Sequence, residues 1–385
     1  MIQYGKHYID QSDIDAVVDV LKNEFLTQGS QVPRFEEEVA ALCGARHGIA
    51  LNSATSALHI ACLAMGIGAG DLVWTSSITF VASANAARYC GADVEFIDID
   101  LANYNLDTGK LEAKLEAAKQ NGRLPTAIIA VHMAGRSCDM AQINALSKRY
   151  GFRVIEDASH ALGGWYGDKP VGSCQYADAA ILSFHPVKMI TTCEGGMILT
   201  NDDNLAEAAR QLRTHGIVQN SSEHFRGEVD GRWHYQQNDL GFNYRLSDLH
   251  AALGRNQLEK LEQFTERRRQ IAHHYHELFD HDDIICPAFS DTEISSWHLF
   301  IIRVKSVQTM DAKKALFDKL FEQGIGVALH YIPLYRHPYH QGPALTDFPG
   351  AEQYYLEAVS LPIFYELEDS QQQKVVDVLH RVLDQ

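Results

Sequence analysis

Short apolar runs alternate with amphipathic stretches along the first 250 residues. Strand-like segments at Gly48–Leu51, Val94–Ile97, Thr126–His132, Phe152–Ile155, Ala179–Phe184 and Met197–Thr200 are interleaved with helical ones at Ser53–Met65, Asp139–Tyr150 and Asn204–Arg213. Strands that are apolar at successive positions, not at every second one, must be covered on both faces. The helices between them are the natural cover, so the pattern predicts an α/β fold with a parallel or mostly parallel sheet. Nearer the start, Ser12 precedes DIDAVVDVLKNE and Asp15 stands where a capping-box acid belongs, which predicts a helix capped at Ser12. A second helix over Phe35–Leu42 is stopped by Gly44.

From Ser247 to about Asp280 the pattern becomes one long helical stretch rich in Leu, Glu, Lys and Arg. Beyond it, strand-like Leu299–Val304 and Gly326–Leu329 alternate with helices near Ala312–Glu322 and Gln371–Leu383. This is the pattern of a smaller α+β unit. It places a division near residue 250, with a large domain over 1–250 and a small C-terminal domain over 251–385, the N-terminal segment packing on the small one.

Length supports that division, because 385 residues exceed one ordinary domain. A net charge of −17 argues against nucleic acid or an anionic membrane as the main partner. The seven cysteines are widely spaced and include no CxxC pair, the usage expected of free thiols in a reducing cytoplasm. No apolar leader opens the sequence and no apolar run has the length of a membrane span. His276-Glu277 with His281 is HExxxH. Its spacing of five puts the imidazoles on different helix faces, so no metal site is expected.

Four motifs carry candidate chemistry. Asn52-Ser53-Ala54-Thr55-Ser56-Ala57 follows a strand and opens a helix, whose first-turn amides are unpaired and whose dipole end is positive; it reads as a phosphate cradle or simply as a good cap. Val154–Ala161 delivers Asp157 at a strand's carboxyl end. There a carboxylate can pair with a protonated pyridine nitrogen, or merely cap a helix. In Ser183–Lys188 a strand ends at Ser183, and Lys188 sits in a loop before Glu194-Gly195-Gly196. A lysine of lowered pKa there can bond covalently to an aldehyde, whereas a lone loop lysine is ordinarily a solvated charge. In Thr75–Ala82 the run ends in Phe80, an aromatic that can stack on a flat ring or sit in the core. Gly66-Ile67-Gly68-Ala69-Gly70 ends a helix instead of following a strand, so it is a turn and not a dinucleotide loop.

In this order and spacing the motifs NSATSAL, TSSITFVA, IEDASHALG, SFHPVKMITTCEGG and LGFNYRLSDLHAALG resemble the DegT/DnrJ/EryC1/StrS family of sugar aminotransferases, from Tyr4 to about Pro362. The resemblance implies the fold-type I aminotransferase architecture and pyridoxal 5′-phosphate (PLP) as cofactor, passing through its pyridoxamine form. It implies that Lys188 bears the cofactor, Asp157 pairs with the pyridine nitrogen and Phe80 stacks on the ring. Ala54, Thr55 and Ser183 would bind the phosphate, and His160 would lie against the ring. Asn243 would reach the phosphate in a neighbouring subunit, which makes a homodimer with shared sites. Some relatives that deoxygenate sugars carry His where Lys188 stands, so lysine here favours amination. Against a PLP-binding regulator without turnover stand the complete Asp157/Lys188 set and the lack of a basic DNA-binding helix pair.

Within the family, FLTQGSQVPRFEE, SFHPVK-ITT-EGG, LGFNYRLSD and LHYIPLYRHPYH resemble members that aminate the C4 ketone of a UDP-linked 4-keto-6-deoxy-L-AltNAc sugar for pseudaminic acid biosynthesis, with L-glutamate as donor. Another nucleotide-linked 3- or 4-keto-sugar is the alternative. Lys6, Arg34, Arg232, Arg245 and Arg336 are candidate diphosphate ligands. Tyr4, His330 and Tyr331 are candidate contacts to the sugar or to the partner subunit. His185 reads equally as a structural strand-end residue, and Arg245 as a brace around Asn243.

Overall fold

A computed structural model describes residues 1–219, 225, 229–340 and 342–384. Seven five-residue strands form the central sheet: β1 (His47–Leu51), β2 (Leu72–Ser76), β3 (Asp93–Ile97), β4 (Ala127–Val131), β5 (Arg153–Asp157), β6 (Ala179–Ser183) and β7 (Gly196–Thr200). Their order is β1-β7-β6-β5-β4-β2-β3. Strands β3, β2, β4, β5 and β6 run parallel, and β7 lies antiparallel to both of its neighbours. Strands β2, β4, β6 and β7 are buried at every position, as strands covered on both faces are. The expected α/β class with a mostly parallel sheet is the observed one.

The parallel strands end together at Ser76, Val131, Asp157 and Ser183, while β7 starts beside Ser183 at Gly196. One edge of the sheet therefore collects the strand-end residues of four separate segments, where open α/β sheets place ligands.

A second layer follows. Ile284–Ile285, Phe300–Val304 and Ala358–Leu361 make a three-stranded antiparallel sheet. Its apolar face packs on the helices Leu261–Leu278, Met310–Glu322 and Asp369–Leu383 through Ile271, Tyr275, Leu316, Leu320, Val375 and Leu379. Ile2 joins this core, its amide donating to Gly324 O and its carbonyl accepting from Gly326 N.

Several local expectations change. The first helix spans Gln11–Asn23 and its cap is Asp10, which forms the capping box with Asp13; Ser12 lies inside the first turn. Asp10 wins because its carboxylate reaches the amides of both Ser12 and Asp13. The long stretch after Ser247 is two helices, Asp248–Leu258 and Leu261–Leu278, interrupted at Glu259-Lys260. Lys260 turns there to pair with Asp10 and Asp13. Gly326–Leu329 is no strand; it makes only an isolated bridge from Ala328 to Ser360, beside the Ile2–Ile325 bridge. Strand β2 and the helices Val81–Tyr89 and Thr108–Gln120 were not anticipated.

Candidate active site

The carboxyl edge of the sheet opens into a pocket of about 280 Å³. It is lined by separate parts of the chain, among them Tyr4, Ser53–Thr55, Thr79–Phe80, Asp157 with Ser159 and His160, Ser183 to Lys188, Glu194–Gly195, His298, and His330 with Tyr331.

The floor is the start of the helix Ala54–Ala64. Ser53 caps it by accepting from Ser56 N at 3.1 Å, and Ser56 Oγ donates to Asn52 Oδ1 at 2.7 Å. The cap thus occupies Ser53 and Ser56. The first intrahelical bond of this end runs from Ala57 N to Ser53 O, leaving the Ala54 and Thr55 amides at the positive end of the helix. This geometry exists because residue 196 is glycine. A Cβ there would lie 2.4 Å from Ala54 N and 2.5 Å from Ser53 C.

Asp157 terminates β5 and is buried. Ser83 Oγ donates to its Oδ2 at 2.7 Å, and Ser159 Oγ donates to Oδ1 at 2.6 Å. Thr79 and Ser83 hydroxyls lie 2.9 Å apart, extending the network behind the carboxylate. Two hydroxyl donors fix its orientation.

Lys188 follows a turn closed by its amide donating to His185 O at 2.9 Å. Burial lowers its amine from 10.5 to about 8, while the charge of Asp157 pulls the other way. Around it stand three imidazoles held neutral. Burial, then the charge of Lys188, lowers His160 and His298 well below the ordinary value, and the same two causes bring His330 to about 4. His160 Nε2 lies 3.1 Å from the Tyr331 hydroxyl, and the Tyr331 ring faces Phe80 with centroids 5.9 Å apart. Tyr4 packs against His330 at 5.4 Å. Phe80 is not a core residue. It is 55 % exposed at the pocket wall, placed by the extended backbone that precedes the helix Val81–Tyr89.

The structure therefore gathers Tyr4, Ala54, Thr55, Phe80, Asp157, His160, Ser183, Lys188, His330 and Tyr331 in one pocket, although they come from segments more than 300 residues apart. It does not place the candidate cations there. Lys6 pairs with Glu366, and Arg336 pairs with Glu352 while lying over the Tyr355 ring. Arg34 and Arg232 are exposed elsewhere. Asn243 is exposed and bridges to Thr214, and Arg245 bridges to Leu51; neither lines this pocket. His185 does line it, from an exposed position. His276 bonds Pro287 O and His281 pairs with Asp384, so the HExxxH pair is divided between two different neighbours.

His298 was missed. Its Nε2 is 3.5 Å from Lys188 Nζ and its ring centroid is 4.5 Å from that of His160. Only the WHLF run hinted at it, and a histidine in an apolar strand reads as core. Its neighbours Trp297 and Leu299 face a separate cavity of about 160 Å³ that contains none of the expected site residues.

Residues 7–380 match the DegT/DnrJ/EryC1/StrS aminotransferase family. The chain belongs to this family. It is 40% identical over 390 residues to the UDP-4-amino-4,6-dideoxy-N-acetyl-beta-L-altrosamine transaminase of Campylobacter jejuni, a match covering 100% of this chain and 98% of the relative. Among solved structures it is similar to Helicobacter pylori PseC, an aminotransferase involved in pseudoaminic acid biosynthesis, with 30% identity, a TM-score of 0.88, and coverage of 100% of this chain and 99% of the other. It is also similar to Spr1654 of Streptococcus pneumoniae in its PMP form, at 25% identity and a TM-score of 0.90 over 100% and 99% of the two chains. The protein is thus a sugar aminotransferase of the fold-type I architecture, in a family whose members imply dependence on PLP.

Proposed function

We propose that the protein moves the amino group of L-glutamate to the C4 ketone of a UDP-linked 4-keto-6-deoxy-L-AltNAc sugar, in pseudaminic acid biosynthesis. The observation that carries the substrate is the full-length 40% identity to the altrosamine transaminase. The pocket supports the cofactor on its own terms. A helix start laid bare by Gly196 suits a phosphate, a buried carboxylate fixed by two hydroxyls suits a pyridinium, and an amine lowered to about 8 suits an aldehyde.

When bound, PLP supplies an aldehyde that condenses with amines and a ring that draws electrons from the attached carbon. The chain's residues do the rest. Ala54 and Thr55 amides with the Ser183 hydroxyl would hold the phosphate, and Phe80 would stack on the ring. Asp157 would keep the proton on the ring nitrogen. His160, neutral and tied to Tyr331, would lie against the ring without adding positive charge beside it. Lys188 would take the proton from the donor's Cα and deliver it to the carbon that carries the cofactor's aldehyde. An amine near pKa 8 is partly free at neutral pH and can do both. Tyr4, His330 and Tyr331 face the sugar.

Asn243 lies outside its own chain's pocket on an exposed loop, which supports a homodimer in which it reaches the phosphate held by the partner. The five candidate cations are also absent from the pocket wall, so a diphosphate ligand is expected from across the same interface. All seven cysteines are unpaired, in keeping with a reducing cytoplasm.

The test is a panel of UDP- and dTDP-linked 4-keto-sugars with L-glutamate, products identified by mass spectrometry. Failure with the UDP-linked 4-keto L-sugar beside good turnover of another would sink the substrate assignment. Borohydride reduction of the purified protein, followed by peptide mapping, should find the cofactor on Lys188.

A further inference from the structure

Lys188 is met from the far end of the chain. Among the described residues, the hydrogen-bond partner of its amino group is His298 Nε2, at 3.5 Å. The His298 imidazole is buried, and its Nδ1 has no partner among the described residues. No hydrogen bond at Nδ1 therefore locks the ring, and its position depends on its backbone.

That backbone is clamped by an arginine in an unusual state. Arg268 is 4 % exposed, and its Nη1 lies 3.2 Å from Trp297 O, 3.1 Å from His298 O and 3.1 Å from Ile363 O. No carboxylate among the described residues pairs with it, and burial alone lowers its pKa to about 10. A buried cation without a counter-ion costs stability that an apolar side chain of similar volume would not. Its interactions go instead to three carbonyls, two of which belong to Trp297 and His298. From the other side, Ser296 Oγ donates to His160 O at 2.7 Å and Ser296 N donates to Gly135 O at 3.1 Å. The segment carrying His298 is thus held on both sides.

We propose that Arg268 and His298 are a positioning pair for Lys188: Arg268 clamps the Trp297–His298 backbone, and His298 accepts a hydrogen bond from the lysine amine and aims it into the pocket while it is free of cofactor. This rests on Lys188 being the cofactor lysine. Accepting at Nε2 requires the neutral imidazole, which burial favours, with its proton on Nδ1. The other ionisable groups at the pocket wall are Tyr4, Asp157, His160, His185, Glu194, His330 and Tyr331, all unchanged in the variants below.

The experiment is trace acetylation of the full-length apoprotein across about pH 6 to 11, with Lys188 labelling quantified by mass spectrometry to give its titration midpoint. His298→Ala replaces the acceptor with room for water, which favours the ammonium. Its midpoint should rise by about one unit, cutting the free-amine fraction at about pH 7.5 roughly eightfold. His298→Gln, whose side-chain oxygen can accept, should stay near the wild type. Arg268→Lys, which cannot span the carbonyls, should shift as His298→Ala does; if it does not fold, the two His298 variants decide. An unchanged midpoint in folded His298→Ala, or equal shifts in the Ala and Gln variants, would overturn the proposal. Because labelling needs no cofactor, failure of the borohydride mapping would refute the underlying reading separately.

Discussion

Gly196→Ala tests whether the close approach of β7 to the helix start makes the phosphate cradle. The added methyl would lie 2.4 Å from Ala54 N, 2.5 Å from Ser53 C and 2.6 Å from Ala54 Cα. Ordinary contact needs about 3.4 Å, so one element must retreat by about 1 Å. Strand β7 is pinned there, with Gly196 opposite Leu51 on one side and Ser183 on the other. The helix start must therefore move, taking the Ala54 and Thr55 amides with it. Overpacking of this kind costs about 1–3 kcal/mol of stability. Losing one good hydrogen bond to a phosphate costs about 1.5–3 kcal/mol of binding, or roughly ten- to a hundredfold in cofactor Kd. Absorbance titration of the apoprotein with PLP measures the second effect and thermal unfolding the first. Gly68→Ala is the control, because the nearest atom to its new Cβ is 4.0 Å away. If Gly196→Ala binds cofactor within about twofold of wild type and unfolds at the same temperature, the steric account of the cradle is wrong.

Asp157→Asn keeps the shape but loses the charge; the half-reaction with L-glutamate, followed by single-turnover absorbance, should slow by about 10²–10⁴-fold with the fold intact. Acid should destabilise the protein as pH falls from about 6.5 to about 4, because unfolded imidazoles take up protons there while buried His330 does not until about 4. The unfolded state then binds more protons, so stability falls with pH, and His330→Asn should flatten the unfolding-temperature curve across that window. His132, which burial would discharge but Cys138 and Glu156 hold charged up to about 10, acts above that window. Lys188→Ala and Asn243→Ala subunits, each inactive or weak alone, should regain activity when mixed by co-refolding, since a hybrid dimer contains one complete site. No regain in verified hybrids would refute a shared site.

Much of this was legible because local chemistry and global position coincide. Strands such as Ala127–Val131, apolar throughout, and Ala179–Ser183, apolar up to its final serine, are accepted by a sheet buried on both faces. Asp157, Ser183 and Lys188 stand at or just past strand ends, where sheet topology collects residues. What was not legible depends on contacts across the chain. His298 is 110 residues from Lys188 in sequence and sits in an apolar run. Arg268 lies in a Glu-Arg-Arg-Arg helix face that reads as solvated, and only packing shows that the middle arginine is buried. Leu72–Ser76 was hidden because its buried polar end, Thr75 and Ser76, blurred it with the loop that follows. The candidate cations failed because charge alone says nothing about direction, and surface carboxylates such as Glu366 and Glu352 claimed two of them.

The pairing of Ile2 with the Gly324–Gly326 turn has a consequence for how the enzyme is made. Tyr4 enters the pocket beside His330, so a segment made early is seated by one made much later. While the chain is emerging, the sheet with Asp157 and Lys188 can assemble, yet the wall that Tyr4 completes has nothing to dock on until residue 326 is available. A nascent chain released early would hold the lysine and the carboxylate in an open, wetter cleft. These two distant segments thus act as a closing seam, and catalytic competence waits until both are in place.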